Sequence, residues 1–277
     1  TYELVSTLDA WSSVAAVGKW ACNSDLVLAT FPGVRTLPVV GVGTDVNMES
    51  LVRQSPDVVL TWSFRPELVR FMEKNGLSVI AVYPDSISEL YDVLRMHGKL
   101  FGREERAERA VAAMERVFSM IRDRAERAPS SEKVKALWVG SRPNTVAGGT
   151  GLSNEMISLI GALNPAEGLR ARNADVSMET IISWNPDLIF IWGNAPYSVS
   201  DILAKPALRG VAAVRNRRVY KAPAWSTWSP RLAPVALWMA MKAYPGLYRD
   251  ISFDDVADRF FREVFGIPYG KVRPVEE

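Results

Sequence analysis

The sequence predicts an α/β protein made of two related lobes joined by one long helix. Three observations lead to this fold class. The segment "DVNMESLVRQSPDVVLTW", residues 45–62, returns 130 positions later as "DVSMETIISWNPDLIFIW", residues 175–192, with seven of eighteen positions identical. Helix-like and strand-like segments alternate in the same order in both halves. Between the halves, residues 103–128 contain no Gly and no Pro, as expected of one continuous helix.

Each copy of the repeat predicts a short helix followed by a strand. Asn47 and Ser177 are suitable N-cap residues, and Glu49 and Glu179 follow in the first turn, where a carboxylate favours the positive end of the helix dipole. A Pro-Asp pair then ends the helix. The apolar runs "VVLTW" and "LIFIW" come next and are typical of parallel strands buried on both faces. A second helix and a second strand follow in each half.

The segment between the halves predicts a rigid connection. Apolar residues recur at positions 107, 110, 111, 114, 117, 118 and 121, which is the stripe of an amphipathic helix. Such a helix would be about 39 Å long. We assign residues 1–101 to an N-terminal lobe, 102–129 to the linking helix and 130–277 to a C-terminal lobe, which two amphipathic helices over 233–267 complete. A stiff connection predicts limited motion between the lobes.

Composition argues against several classes of function. The 277 residues include 33 Lys plus Arg and 31 Asp plus Glu, a net charge of +2, so the charge balance predicts no nucleic-acid partner. No apolar stretch reaches the roughly 20 residues of a membrane span. The single Cys, Cys22, and the single His, His97, offer no cluster of metal ligands. We expect a monomer with no catalytic residues, no metal site of its own and no cofactor.

Several motifs together resemble one family. They are the duplicated "NMESL…SPDVVLTW" and "SMETI…NPDLIFIW", with "HGKLFGREERAERAV", "GGTGLSNEMISLIGALN" and "WSPRLAPVALW". The chain resembles the cluster-type (class III) substrate-binding proteins of ABC importers, which take up ferric siderophores, haem and vitamin B12. The resemblance covers essentially the whole chain, except that the family's first strand and first ligand loop should precede "TYEL". It implies two Rossmann-like α/β lobes joined by a single backbone helix, with the ligand in the cleft between them.

The resemblance also implies a location and a partner. The protein would be periplasmic, or extracellular and membrane-anchored, and would hand its ligand to an ABC transporter permease dimer. The first twenty residues contain no signal peptide, as expected of a mature or shortened form. In the family, one exposed Glu on each lobe docks onto Arg residues of the permease, and Glu49 and Glu179 match those positions. The alternative is that each Glu only complements its own helix N-terminus.

Ligands of open α/β sheets bind at the carboxyl ends of strands. We therefore expect the ligand residues in the loops that follow the predicted strands. Aromatic rings and arginines there suit an anionic chelate with aromatic groups. The alternative for Trp62 and Trp192 is core packing, and for Arg65 and Arg142 it is solvation. The candidates are Trp20, Trp62, Phe64, Arg65, Arg142, Asn144, Trp192, Tyr197, Trp225, Trp228 and Arg231.

The expected cargo is a metal that is already wrapped in an organic chelator, since such a cargo needs no metal ligands from the protein. A ferric siderophore is the first choice, a corrinoid the second and molybdate or tungstate the third. Haem is less favoured, because only Tyr197, without a His partner, offers a ligand. The "GGTG" at residues 148–151 lacks the Lys-Ser/Thr of a phosphate-binding loop and is interpreted as a flexible turn.

Two other classes of protein remain as alternatives. One is a doubly wound α/β enzyme, although the predicted loops contain no nucleophile with a His and no paired acid and base. The other is a cytoplasmic regulator that senses a ligand, which would be an oligomer. Turnover of a bound ligand would favour the enzyme, and an export signal in the complete gene product would exclude the regulator.

Overall fold

The computed structural model describes residues 2–42, 45–127 and 133–272, and its N-terminal half holds two small sheets. One sheet has the order β1-β2-β3, and the other pairs β4 with β5 in parallel. The strands are β1 (Val17–Gly18), β2 (Val39–Val42), β3 (Asp45–Val46), β4 (Val59–Trp62) and β5 (Val79–Val82), and the helices are α1 (Tyr2–Leu8), α2 (Asp25–Thr30), α3 (Met48–Arg53), α4 (Pro66–Lys74) and α5 (Ile87–Phe101).

One long helix, α6 (Glu104–Ala125), leads into a C-terminal half with a single mixed sheet. The sheet order is β10-β9-β6-β7-β8, in which β9 pairs in parallel with both β6 and β10. The strands are β6 (Ala136–Val139), β7 (Thr145–Ala147), β8 (Asn173–Asp175), β9 (Leu188–Ile191) and β10 (Val219–Lys221), and the helices are α7 (Leu152–Leu159), α8 (Met178–Trp184), α9 (Val199–Leu203), α10 (Ala212–Arg215), α11 (Leu232–Ala243) and α12 (Phe253–Phe265).

The linking helix forms as predicted but is shorter than residues 103–128. It ends at Ala125, and the part of the prediction over 128–129 lies outside the described residues. All seven apolar positions of the predicted stripe are buried. The helix packs against α5 on the N-terminal side and against α11 and α12 on the C-terminal side, so one continuous core joins the two halves.

The turn between α5 and α6 depends on two glycines. Gly102 adopts a left-handed conformation, with φ of 61°, which costs glycine little. Gly98 lies against Ala107 so closely that an added Cβ would be 2.8 Å from the Ala107 Cβ. The two helices therefore pack at close range.

The repeated segments form the predicted local structure. Asn47 accepts a hydrogen bond from the Ser50 N–H (2.8 Å), and Ser177 accepts one from the Thr180 N–H (3.1 Å), so both N-caps are confirmed. Strand β9 is buried on both faces, as expected. Strand β4 is only half-buried, because its described hydrogen-bonded neighbour is β5 alone, whereas β9 lies between two strands.

The two halves differ in how their strands are joined into sheets. In the C-terminal half β6 lies between β9 and β7, whereas among the described residues no strand lies between β4 and β1. The expected additional strand ahead of "TYEL" stays a prediction. No helix in the described part of the chain is long and apolar enough to cross a membrane.

The C-terminal helices correct one expectation. Helix α12 is amphipathic, but α11 is buried nearly all around, because it packs between α6 and α12. Cys22 is buried, with its thiol 3.9 Å from the Val34 carbonyl oxygen.

Arg231 is a second correction, because it lies in the core and not at a ligand site. Its side chain is 1% exposed. The guanidinium donates to Glu3 through Nε (3.0 Å) and Nη2 and to the Asp25 carboxylate through Nη1 (2.8 Å). The Ser229 hydroxyl donates to the same Glu3 carboxylate (2.6 Å). These bonds tie α1 and α2 to the start of α11.

Trp225, also predicted at the ligand site, lies in the core as well. The ring is 3% exposed and packs against Phe261 and Tyr269, with centroids 5.6 and 6.0 Å away. Its other neighbour is the Arg231 guanidinium, 5.1 Å from the ring centroid. Ser, Thr and Pro around Trp225 predicted an exposed turn, but the C-terminal helix covers that turn.

Replacing Arg231 with Ala should lower the free energy of unfolding by about 3–5 kcal/mol, because the substitution leaves Glu3 buried without its cation. Urea unfolding monitored by circular dichroism measures the change. Arg53→Ala is the control, since its pair with Glu49 is exposed and should be worth about 1 kcal/mol or less. Equal losses in the two variants would contradict this account of the core.

His97 is fully buried in α5, in agreement with a structural role and not with a surface position. Its Nδ1 lies 2.7 Å from the Val93 carbonyl oxygen, while Nε2 has no described partner. Burial lowers the pKa of His97 from 6.5 to about 4, although the bond to Val93 opposes the change. Between these two pKa values the unfolded chain binds more protons, so stability falls as the pH falls.

The variant His97→Leu should therefore lose less stability on acidification than the unmodified protein. Between pH 7 and pH 4.5 the difference should be about 2–3 kcal/mol, the free energy of protonating an unfolded but not a folded imidazole. Urea titrations at the two pH values measure it, and the carboxylates cancel in the comparison. Parallel pH profiles of the two proteins would show that His97 does not titrate on unfolding.

Candidate functional site

A cleft of about 310 Å³ lies between the loop that follows β5 and the sheet of the C-terminal half. This size is within the range of small-molecule sites. Tyr83, Gly140 and Trp192 follow β5, β6 and β9 directly, so the cleft lies at the carboxyl ends of these strands, as the sheet rule predicts. The lining residues are Tyr83, Pro84, Asp85, Trp138, Gly140, Ser141, Thr145, Thr150, Gly151, Leu152, Ser153, Arg172, Asn173, Trp192, Thr227 and Trp228.

Four aromatic side chains, Trp62, Phe64, Tyr83 and Trp228, form an aromatic cluster at one side of the cleft. Tyr83 lies at its centre, with ring centroids 5.7 Å from Trp62, 5.6 Å from Phe64 and 5.4 Å from Trp228. Trp62 also contacts Trp228 at 5.6 Å. The contacts are edge-on or tilted, the geometry that aromatic pairs prefer. Since Trp228 comes from the C-terminal half, the cluster joins the two sides of the cleft.

The residues after β5 are held to the C-terminal half at three points by four hydrogen bonds. The Trp228 indole N–H donates to the Pro84 carbonyl oxygen (3.3 Å). The Ile87 N–H donates to the Glu155 carboxylate (2.6 Å), and burial raises the pKa of that carboxyl. Arg172 donates to Asp85 through Nε and through Nη2 (2.5 Å). The loop 83–87 is therefore the bridge that sets the width of the cleft.

Arg172 and Asp85 are the charged side chains among the described residues that line the cleft. Both are partly exposed, at 45% and 37%. The Arg172 guanidinium also lies over the Tyr83 ring, 4.3 Å from its centroid, in a cation–π contact. The hydrogen bond to Asp85 raises the pKa of Arg172, and burial raises that of the Tyr83 phenol. A fixed cation beside aromatic rings can recognise an anionic group next to a planar one.

The glycine-rich turn at residues 148–151 has a packing role. A Cβ on Gly148 or Gly149 would lie 2.2 Å from the Ala171 or 1.9 Å from the Glu167 carbonyl oxygen. The N–H groups of Gly148, Gly149 and Thr150 donate to the carbonyls of Arg172, Leu169 and Ala171. They are already used, so this turn does not cradle a phosphate. It is packed against the chain rather than flexible, which corrects that detail of the prediction.

The structure distributes the predicted ligand residues over several places. Trp192 and Trp228 line the cleft. Trp62 contacts the lining residues Tyr83 and Trp228, and Phe64 contacts Tyr83. Seven others do not line it: Trp20, Arg65, Arg142, Asn144, Tyr197, Trp225 and Arg231.

The residues outside the cleft are engaged in local structure or exposed. Arg65 donates to Glu67 at 2.9 Å, and Arg142 donates to Asp175. The Asn144 amide donates to the Val176 carbonyl (3.2 Å). The Tyr197 hydroxyl donates to the Gly140 carbonyl (2.7 Å), and burial raises its pKa to about 12. Trp20 is 60% exposed.

Sequence reasoning missed Tyr83, Asp85 and Arg172. Tyr83 and Asp85 follow β5, so the rule that selects loops at the ends of strands could have found them. Arg172 precedes its strand, β8, and that rule does not reach it. Only the position of Arg172 opposite the β5 loop reveals it, and this position depends on the tertiary fold.

The two repeated glutamates lie on exposed first turns, one in each half. The Glu49 side chain is 82% exposed and accepts a hydrogen bond from Arg53 at 2.5 Å. Glu179 is exposed, and its own backbone N–H, followed by the Ser177 hydroxyl, lowers its pKa. The equivalent of Arg53 is Ser183, so the two sites are not electrostatically identical.

No group of three or more His, Cys, Asp or Glu side chains is placed to hold a metal ion within residues 2–42, 45–127 and 133–272. The described lining of the cleft consists of aromatic rings, hydroxyl groups and one Arg–Asp ion pair. Such a set of groups can bind and orient a solute.

Comparison with known proteins identifies the family. Residues 1–224 match the family model described as periplasmic binding protein, and the chain belongs to that family. CeuE of Helicobacter pylori, in a Ni-His complex, is 25% identical with a TM-score of 0.88, over 98% of this chain and 89% of that one.

Two further relatives carry other ligands in their names. The molybdate-binding protein MolA of Haemophilus influenzae is 22% identical over 269 residues, 86% of this chain and 75% of its own. Its structure with molybdate has a TM-score of 0.81, at 19% identity over 97% and 92% of the chains. The vitamin B12-binding protein of Salmonella typhi is 22% identical over 166 residues, 59% and 62% of the chains.

Family membership confirms the main predictions. The protein has the two-lobed α/β fold of these receptors. It is a solute-binding component of an ABC importer and not an enzyme, which removes the α/β enzyme alternative. It works outside the cytoplasmic membrane and delivers a small molecule to a permease, which removes the cytoplasmic regulator.

Proposed function

We propose that the receptor binds an anionic metal chelate with planar or aromatic groups, a ferric siderophore before all others. The observation that carries this proposal is Arg172, held over the Tyr83 ring in a cleft with three indoles. Rings of a chelator stack on Tyr83, Trp192 and Trp228. Arg172 donates paired N–H groups to oxygen atoms of the chelate.

The absence of a metal-holding cluster within the described residues supports a wrapped metal over a naked one. A chelator that satisfies the coordination sphere leaves only its outer surface for recognition. Aromatic contacts and hydroxyl donors such as Ser141, Thr150 and Thr227 suit that outer surface. Capture then needs no change of the metal ligands, and release to the permease needs none either.

Molybdate or a related oxyanion is the second candidate, favoured by the similarity to MolA over most of the chain. Arg172 and the hydroxyls of the lining would donate to its oxygens. A small oxyanion fills only part of the cleft and leaves the indole rings uncontacted, so we rank it below the chelate. A corrinoid is the third candidate, supported by the named vitamin B12 relative and by the same rings.

Intrinsic fluorescence can test the ligand class and its position. The protein is titrated with ferric catecholate and hydroxamate chelates, cobalamin, haem and molybdate. A ferric chelate should quench the emission at stoichiometric binding, and Trp228→Phe should lose a large part of this change, because Trp228 lines the cleft.

Trp225→Phe is the matched control for that titration. It removes an indole three positions away that is buried against Phe261 and does not line the cleft, so the quenching should stay near its original amplitude. Equal responses of the two variants would place the ligand elsewhere. Binding of molybdate alone would favour the second candidate.

We further propose that Glu49 and Glu179 register the receptor on the two permease subunits. The supporting observations are their exposure on equivalent first turns, one in each lobe, and their common origin in the repeat. Two charges held apart by a packed core would give a two-point contact with a symmetric partner. A monomeric receptor, free or lipid-anchored, fits this arrangement.

The double variant Glu49→Ala/Glu179→Ala should bind the chelate normally but stimulate the ATPase activity of its ABC importer at least about tenfold less, since complementary charges chiefly guide such encounters. Reconstituted importer in liposomes provides the assay. Glu73→Ala/Glu105→Ala, which removes two exposed carboxylates elsewhere, should leave stimulation intact. Full stimulation by the first double variant would refute the docking role.

A further inference from the structure

We propose that Asp85 is an internal competitor for the ligand, which holds Arg172 in the free receptor and gives it up when an anionic ligand binds. This inference rests on the proposed function, because it concerns the same cleft and the same cation. In this role Asp85 determines which anions bind Arg172 tightly enough to displace its carboxylate.

In the free receptor the Asp85 carboxylate already occupies the place on Arg172 where an anionic ligand would bind. The Asp85 carboxylate takes both the Nε and the Nη2 donors of Arg172, one on each oxygen. This paired arrangement is the one that a bidentate carboxylate, catecholate or oxyanion of a ligand would use. A ligand that binds the same edge of the guanidinium must displace the Asp85 side chain.

Displacement is possible because the backbone around Asp85 is fixed while its carboxylate is not buried. The Asp85 N–H donates to Glu89 (2.6 Å), and the neighbouring Pro84 and Ile87 are bonded to Trp228 and Glu155. The Asp85 side chain is 37% exposed. Its carboxylate can therefore turn toward solvent by side-chain rotation alone, while the bonds of Pro84 to Trp228 and of Ile87 to Glu155 still join the lobes.

Arg172 stays in position after the exchange. Its guanidinium is held 4.3 Å above the Tyr83 ring, and this contact does not involve the carboxylate. A ligand anion thus meets a cation that is already oriented beside an aromatic surface. A single weak anion gains little over Asp85, whereas an anionic chelate that also stacks on the rings gains both contacts.

This competition predicts that substitution of Asp85 changes the anion affinity in the direction opposite to that expected for an ordinary binding residue. Removing the Asp85 charge should tighten the binding of anions, because Arg172 no longer has to be released. Removing Arg172 should weaken it. The affinity for a neutral chelate of similar size should change little in either variant, since such a chelate does not bind the guanidinium through an anionic group.

The experiment compares the full-length receptor with Asp85→Asn, Asp85→Ser and Arg172→Gln by calorimetry or fluorescence. The probes are the anionic iron(III) complex of 2,3-dihydroxybenzoate, molybdate and the neutral iron(III) complex of acetohydroxamate. We expect both Asp85 variants to bind an anionic probe about three- to tenfold more tightly, the range for a partly exposed bidentate pair. Arg172→Gln should bind it at least about tenfold more weakly.

Asp250→Asn is the matched control. Asp250 forms a similar two-bond pair with Arg124 (2.7 Å for each bond), and neither residue lines the cleft. The affinity of this variant for every probe should equal that of the unmodified receptor. Thermal melts of all variants show whether each is folded at the temperature of the titration, and the two Asp85 variants should agree with each other.

The outcomes separate the inference from the proposed function. Weaker or unchanged anion binding in both Asp85 variants, with weaker binding in Arg172→Gln, would overturn the competition and leave Arg172 as a ligand group. Binding of anionic probes only after substitution of Asp85 would support the competition strongly. If neither the receptor nor its Asp85 variants bind any anionic probe, the anionic-chelate function fails and the exchange fails with it.

Discussion

The packing of α6 is the constraint on which the rest of the molecule depends. Met114, Phe118 and Ile121 on this helix are fully buried in a core that contains residues of both halves of the chain, and α6 packs against helices from both halves. A hinge of exposed strands would let the lobes separate, whereas a shared core makes separation costly in buried apolar area. The buried Arg231 adds to this effect, because it joins α1 and α2 to the start of α11. The cleft is therefore shaped before a ligand arrives.

The cleft combines two kinds of contact across the lobes. The aromatic cluster supplies apolar area with defined geometry. The Arg172–Asp85 pair supplies one positive and one negative group, whose charges balance. A preformed site loses little entropy when a rigid chelate enters. The bridge of residues 83–87 limits how far the lobes can close, so recognition depends on side chains such as Asp85 and Trp228 and not on a large domain movement.

The sequence predicted the architecture better than the site, for physical reasons. Local signals, such as the N-caps Asn47 and Ser177 and the apolar stripe of α6, depend on neighbours in the chain, and the structure confirms them. Arg231 was misassigned because an Arg in a Ser- and Pro-rich turn looks exposed until Glu3, more than two hundred positions away, is placed beside it. Arg172 was missed for the same reason, since its partner Asp85 lies across the cleft.

The central claim is that the lobes are held at a fixed separation by the shared core. Spin labels on Glu73→Cys and Ala207→Cys, both exposed, with Cys22 buried and unlabelled, would report the distance between the lobes by pulsed electron paramagnetic resonance. The account predicts one narrow distance in the free receptor that moves by less than about 2 Å when a chelate binds, as in preorganised complexes. A broad distribution in the free receptor, or a larger closure on binding, would contradict it.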